Sequence, residues 1–238
     1  VIPIGNGARV RGFPFAVAAI VLLNVVAFVH EVDLPEASRN AFIDAMALIP
    51  FDLTHGVQLG PPAPPTGLTL VTAQFLHGSV FHIFFNMLFL VVFGPEIERL
   101  TGHWRFAAFY LVCGVLGNLA QLSAGPGSHV PSIGASGAIA GVLGAYAVRF
   151  PTNDIETIVP IGCFPLFLRL PAILIIGVWA VTQFVHGFSP VSDRVLSEQG
   201  GGIAYFAHIG GFLAGVFSIG FFAKNRRRKQ GRPYRLYH

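Results

Sequence analysis

His77-Gly78-Ser79-Val80-Phe81-His82-Ile83-Phe84-Phe85-Asn86-Met87-Leu88-Phe89-Leu90 opens an apolar run with two histidines and an asparagine set into it. The run continues to residue 97, and its length is close to the roughly 17–25 mostly apolar residues that a membrane-spanning helix needs. His82 and Asn86 therefore sit at the start of a span, where polar side chains are costly and tend to mark function. Two further spans start in the same way: Gly134-Ala135-Ser136-Gly137 begins one and His208 begins the last. Alternating topology puts the three starts on one side of a bilayer, so their polar groups converge at one depth. A serine, a histidine and hydrogen-bond donors for an oxyanion are the parts of a serine hydrolase. The pattern implies a protease site built inside the membrane.

Composition points the same way. Of the 238 residues, 53% are hydrophobic and 11% charged. A soluble domain usually carries about 25% charged residues, so this chain has too few to cover a water-facing surface. Its 28 glycines fit a membrane protein, because glycine is commoner in membrane helices than in soluble ones. One membrane domain is expected rather than two soluble ones. Cys113 and Cys163 fall in or beside apolar stretches and suggest neither a disulfide framework nor a metal cluster.

Six stretches approach spanning length: residues 13–29, 80–97, 106–122, 133–148, 170–185 and 206–223. The fold expected from them is an all-α, six-span bundle. Residues 1–12 form a cytoplasmic segment, 13–223 the membrane domain and 224–238 a basic cytoplasmic tail. The first stretch lacks a small-residue cleavage site at its end and reads as a retained helix. A seventh apolar piece, 158–168, is short and interrupted by Pro160 and Pro165, so it is expected to lie at the interface rather than cross.

Orientation follows from the basic residues. Arg9 and Arg11 precede the first span, Arg99 and Arg105 flank the second loop, Arg149 and Arg169 bound the fourth, and Lys224, Arg226, Arg227, Arg228 and Lys229 follow the sixth. The opposite loops mix Arg39 with Glu31, Asp33, Glu36 and Asp44, and Arg194 with Asp193 and Glu198. Under the positive-inside rule both termini are cytoplasmic, in a protein expected in the cell membrane. A basic tail could also serve nucleic acid or anionic lipid. Here it abuts a span directly, so topology is the preferred reading and no nucleic-acid partner is expected. On the outer side, the long loop 30–76 includes an apolar piece, 43–51, able to dip into the interface. The last outer loop, 187–205, contains Gly200-Gly201-Gly202, which resists fixed structure and reads as a lid or gate.

Each polar residue has a plain structural reading beside the catalytic one. Ser136 enters a helix from a turn-rich loop, where free N–H groups favour a developing negative charge. It could equally belong to a small-residue packing motif, since Gly137 and Gly141 form a GxxxG pair. His208 precedes Gly211 and Gly215, again four apart. Close approach of the fourth and sixth spans through these glycines would bring it to Ser136, and it must be neutral to accept the serine proton. His30, His55, His129, His186 and His238 read as interfacial histidines and His103 as a solvated turn residue. His82 and Asn86, four apart, share a helix face. They suit oxyanion donation, with an interhelical polar contact as the alternative. His77 is given a supporting role, with Gly134 and Gly137 flanking the serine. No H-E-x-x-H helix or nearby carboxylate supports a metal site, and no acid is placed to orient His208. A Ser–His dyad without cofactor is the economical assignment.

Together these segments resemble the rhomboid intramembrane serine proteases, over about residues 70–215. His77 through Asn86 is similar to the family's H-x4-H-x3-N segment, and Gly94 to Glu98 with Gly102 to its glycine–glutamate segment. Gly134-Ala135-Ser136-Gly137 is similar to its nucleophile motif and Ala207-His208-Ile209-Gly210-Gly211 to its basic histidine motif. The resemblance implies Ser136 as nucleophile, His208 as general base, and His82, Asn86 and the Ser136 N–H as the oxyanion hole. It implies a six-helix bundle around a water-filled cavity in the lipid bilayer, with single-span transmembrane proteins as substrates. Their entry would pass the fifth span, with Gln183, Phe184 and Phe188 plus the glycine-rich loop as the gate. Two departures stand out. Ala140 occupies the position where many members carry an aromatic residue against the histidine, and the first loop lacks a Trp-Arg pair. A non-proteolytic relative binding membrane clients is the competing reading, and a transporter a third. The first usually lacks the serine or the histidine, and the second is disfavoured because the polar residues cluster at one depth.

Overall fold

Apolar runs in lipid fold as helices because a helix satisfies its own backbone polar groups. The computed structural model describes residues 2–7, 12–57, 63–161, 164–188 and 204–224. In chain order the elements are β1 (Ile2–Asn6), α1 (Phe15–Asp33), α2 (Glu36–Met46), α3 (Pro50–His55), α4 (Thr69–Thr72), α5 (Val80–Thr101), α6 (His103–Ala124), α7 (Ser136–Arg149), β2 (Asp154–Ile161), β3 (Phe164–Pro171), α8 (Ala172–Gly187) and α9 (Tyr205–Phe222). Four of them, α1, α5, α6 and α9, are long and apolar enough to cross a membrane. Helix α8 is apolar but has 16 residues, and α7 has 14. Leu22, Phe81, Phe217 and Phe221 stand exposed on the helix surfaces, which suits lipid and not water.

The expectation of an all-α chain is corrected by a three-stranded antiparallel sheet in the order β1-β2-β3. Pro160 and Pro165 bar a helix here, while a sheet admits proline where no neighbour needs its N–H. Pro160 lies beyond the reach of β1, which pairs with residues 155–158, and Pro165 lies on the edge strand β3. Ile155 opposite Leu170 turns inward, and the alternate pair Glu156–Arg169 forms an ion pair at 3.0 Å. The piece 158–168 thus supplies two strands of a hairpin instead of lying as an isolated apolar segment. The N-terminal segment adds β1, whose Asn6 amide donates to the Tyr146 hydroxyl at 2.8 Å.

Helix α7, buried from Gly137 to Tyr146, lies at the centre, and α9 packs along it. A Cβ placed on Gly211 would overlap the carbonyl oxygen of Gly137, and one on Gly215 the carbonyl oxygen of Gly141. Backbone meets backbone along this seam, the close approach that small residues four apart permit. It brings the first turns of the two helices side by side.

Glu98, buried near the far end of α5, holds α1 in place. Its carboxylate accepts from the N–H groups of Ala16 at 2.9 Å and Val17 at 2.8 Å, and pairs with His103. These are helix N-terminal donors with no intrahelical acceptor. Glu98→Ala is expected to lower stability by about 3 kcal/mol, because it orphans buried N–H groups and removes charge-assisted hydrogen bonds. The check is a fall in the thermal midpoint that Glu98→Gln only partly restores.

At the other end the first loop braces the approach to α7. Leu48 and Ser132 exchange backbone hydrogen bonds at 3.1 and 2.8 Å, Phe51 N–H donates to Ser128 at 2.9 Å, and Gly134 N–H donates to Ala73 at 2.8 Å. The segment just before Ser136 is therefore tied to the 45–75 region at several points.

Candidate active site

Ser136 is the first residue of α7 and His208 lies in the first turn of α9. The glycine seam below them sets their separation. Ser136 Oγ and His208 Nε2 are 2.7 Å apart, a hydrogen bond. On the other side of the ring, His208 Nδ1 is 2.7 Å from Oε1 of Gln183. The Trp179 ring stands beside the imidazole, with centroids 5.9 Å apart and planes at 40°. Ala140 is fully buried and leaves room, so the aromatic neighbour of His208 comes from α8 rather than α7. Trp179 was not anticipated from the sequence.

His82 and Asn86 come from the first two turns of α5, whose start is capped by Ser79 Oγ accepting from the His82 N–H at 3.1 Å. Gly134 separates His82 from the serine. A Cβ on Gly134 would sit 2.8 Å from His82 Nε2 and 3.5 Å from Ser136 Oγ, and φ there is +127°. Both the backbone conformation and the space require glycine. Asn86 is buried, and its amide nitrogen has no hydrogen-bond partner among the described residues. An orphaned buried donor is costly, and this one lines the cavity onto which Ser136 and His208 also open. Gly137 packs on α9, with a built Cβ 3.4 Å from the Ala207 carbonyl oxygen.

His77 lies outside the helices, buried, with its ring centroid 5.0 Å from that of His82. Burial, with His82 adding to it, holds the His77 imidazole well below the usual histidine range, so it is neutral at pH 7. The His77 backbone N–H donates to the Glu31 carboxylate at 3.2 Å, which ties the segment before α5 to the end of α1. His77 thus packs against His82.

The cavity measures about 790 Å³. Phe81, Phe85 and Phe89 of α5, Trp179 of α8 and Ile43 of α2 line it. Of the residues expected at the gate, Phe184 is exposed, and Phe188 meets Phe206 edge to face at 5.4 Å, joining the end of α8 to the start of α9. Gln183 instead turns inward to His208. Gly200-Gly201-Gly202 lies outside the described residues, as do Cys163 and the basic tail beyond Lys224.

Ser136, His208, His82 and Asn86 thus line one largely apolar cleft. Residues 65–225 match the family described as the Rhomboid domain. The chain belongs to the rhomboid family. This rhomboid is an integral membrane protein. It is 37% identical over 153 residues to RHOMBOID-like protein 5 of Arabidopsis thaliana, covering 64% of this chain and 42% of the relative. It is 30% identical over 158 residues to Rhomboid-type serine protease 2 of Emericella nidulans, covering 65% of this chain and 27% of the relative. It is 34% identical over 149 residues to Rhomboid protease GluP of Bacillus subtilis, covering 63% of this chain and 25% of the relative. The chain spans less than half the length of each of these three relatives.

Proposed function

We propose that this rhomboid is a serine endopeptidase that cleaves transmembrane segments of single-span membrane proteins. The observation that carries the reading is the 2.7 Å hydrogen bond between Ser136 Oγ and His208 Nε2 at the edge of an apolar cavity. His208 accepts the hydroxyl proton as Ser136 Oγ attacks the scissile carbonyl carbon. The oxyanion formed is stabilised by the Ser136 N–H, which has no intrahelical acceptor at the first helical position, and by His82 and the Asn86 amide. Collapse of the tetrahedral intermediate breaks the C–N bond, and His208 returns the proton to the leaving amine. Water then attacks the acyl ester with His208 again as base, and the acyl C–Oγ bond breaks as His208 returns the proton to Ser136 Oγ, releasing the carboxylic acid. Every proton transfer runs through His208, so the dyad needs no metal or cofactor.

In this reading α1 and α5–α9 make the six spans, with both termini cytoplasmic in the cell membrane and the dyad near the outer face. Support comes from the coincidence of these helices with the six apolar stretches and from the basic residues at one end of the bundle. A substrate helix enters between α5 and α8, where the cavity is walled by Phe81, Phe85 and Trp179. Phe184 and Phe188, at the end of α8, are assigned to the gate of that path.

The test is cleavage of a labelled single-span protein co-reconstituted with the protease in lipid vesicles. Asn86→Ala is expected to lower kcat by about 10²–10³-fold with KM little changed, as loss of one oxyanion donor does. A loss confined to KM would move Asn86 from oxyanion stabilisation to substrate binding.

A further inference from the structure

We propose, resting on the protease reading, that Gln183 is a positioning residue for His208, a neutral acceptor that fixes which ring nitrogen carries the proton. Its side chain reaches from α8 to the far side of the imidazole, with Oε1 at 2.7 Å from Nδ1. Which end of an amide faces a partner is decided by the whole hydrogen-bond network, and here the network is complete. The Thr182 hydroxyl donates to the Trp179 carbonyl at 2.6 Å. Its oxygen then accepts from Gln183 Nε2 at 3.1 Å, and the same nitrogen is 3.4 Å from the Trp179 carbonyl oxygen. Reversing the amide would turn its oxygen toward a carbonyl oxygen, so the oxygen faces His208.

An amide oxygen only accepts, so Nδ1 must carry the hydrogen. Nε2 is left with its lone pair toward Ser136 Oγ, and the hydroxyl donates to it. That is the one tautomer in which the imidazole can act as base toward Ser136. Without the acceptor the ring is free to place its hydrogen on Nε2, where it would donate to the serine rather than accept from it. An aspartate in this role would bury a charge near lipid, whereas the amide performs the orienting half of the task without that cost. Trp179, one turn earlier on α8, packs against the ring, so α8 supplies both the acceptor and the flanking aromatic.

Gln183→Met keeps length and volume but removes the acceptor, and Gln183→Glu keeps an acceptor at the same reach. In vesicles with a fluorescent single-span substrate, Gln183→Met is expected to lower kcat about 10–100-fold with KM within about twofold, and Gln183→Glu to stay within about tenfold of wild type. Thr182→Val leaves Gln183 in place but frees its amide to turn, and is expected to lower kcat about threefold at unchanged KM. Thermal midpoints within a few degrees of wild type establish that the variants are folded. Unchanged kcat in Gln183→Met, or an effect on KM alone, would overturn the inference and leave Gln183 as a gate or packing residue. A wild-type protein that neither cleaves the substrate nor reacts with a serine-directed phosphonate would overturn the protease reading and this inference together.

Discussion

Alanine at Ser136 or at His208 is expected to lower cleavage of a single-span substrate by about 10³–10⁶-fold, the range seen when members of a serine–histidine catalytic unit are removed. Ser136→Ala removes the atom that forms the acyl bond, and no other hydroxyl among the cavity-lining residues is placed against the His208 ring. His208→Ala leaves the hydroxyl but removes the base in hydrogen-bond contact with it. The two residues act as one unit, so the double variant is expected to be no worse than the worse single variant. Additive losses would mean that Ser136 and His208 serve different steps. Both side chains lie at helix starts held by the glycine seam below, so both variants are expected to melt close to wild type. A measurement of cleavage alone could be confounded by unfolding, and the unchanged melt separates the two.

The second large effect is structural. Gly215→Leu is expected to destabilise the bundle by more than about 3 kcal/mol and to abolish cleavage with it. A side chain at Gly215 would have to displace the backbone of α7 at Gly141, since even a Cβ would overlap that carbonyl oxygen and would lie 2.6 Å from its carbon. Flexible neighbours can move aside, but a helix backbone cannot do so locally. The displacement would be transmitted along α7 to its first residue, Ser136. Gly220 provides the control: a Cβ there meets nothing within 4 Å. Gly220→Ala on the same helix is expected to be neutral or slightly stabilising, because alanine is the better helix former. A Gly215→Leu protein with normal melting and normal cleavage would mean that α7 and α9 do not pack through this seam.

What could be read in the sequence was whatever broke the pattern of an apolar span. Ser136, His208, His82 and Asn86 are conspicuous because a polar group in lipid needs a partner or a task. Glycines four apart at 211 and 215 signalled close packing by the same kind of local rule. Gln183 obeys the rule that singled out Asn86, since it too is an amide inside an apolar helix, and Trp179 lies one turn before it on the same face. That rule marks Gln183 as needing a partner but does not name His208. The resemblance implies Gln183 as part of the gate, whereas its contact with His208 depends on how α8 packs beside α9.

Other features were not legible because their partners are far apart in the chain. Glu98 stood out within the glycine–glutamate segment, yet its task, accepting from Ala16 and Val17, depends on where α1 packs. The bridge between Leu48 and Ser132 is equally non-local. The sheet was missed for a different reason. Its hairpin carries apolar residues on both faces along much of its length, so the alternation that marks a half-buried strand is weak, and the two prolines argued only against a helix. Its third strand falls in a short N-terminal segment with no periodicity of its own.

In the proposed function Ser136 is a nucleophile activated by His208. That role is tested most directly by treating the protein in lipid with a fluorophosphonate probe and mapping the adduct by mass spectrometry of the intact chain and its fragments. One adduct is expected, on Ser136, with labelling lost in His208→Ala and strongly slowed in Gln183→Met. No adduct on a folded wild-type protein, or an adduct on another serine, would contradict it and shift the assignment to a rhomboid that binds membrane clients without cutting them.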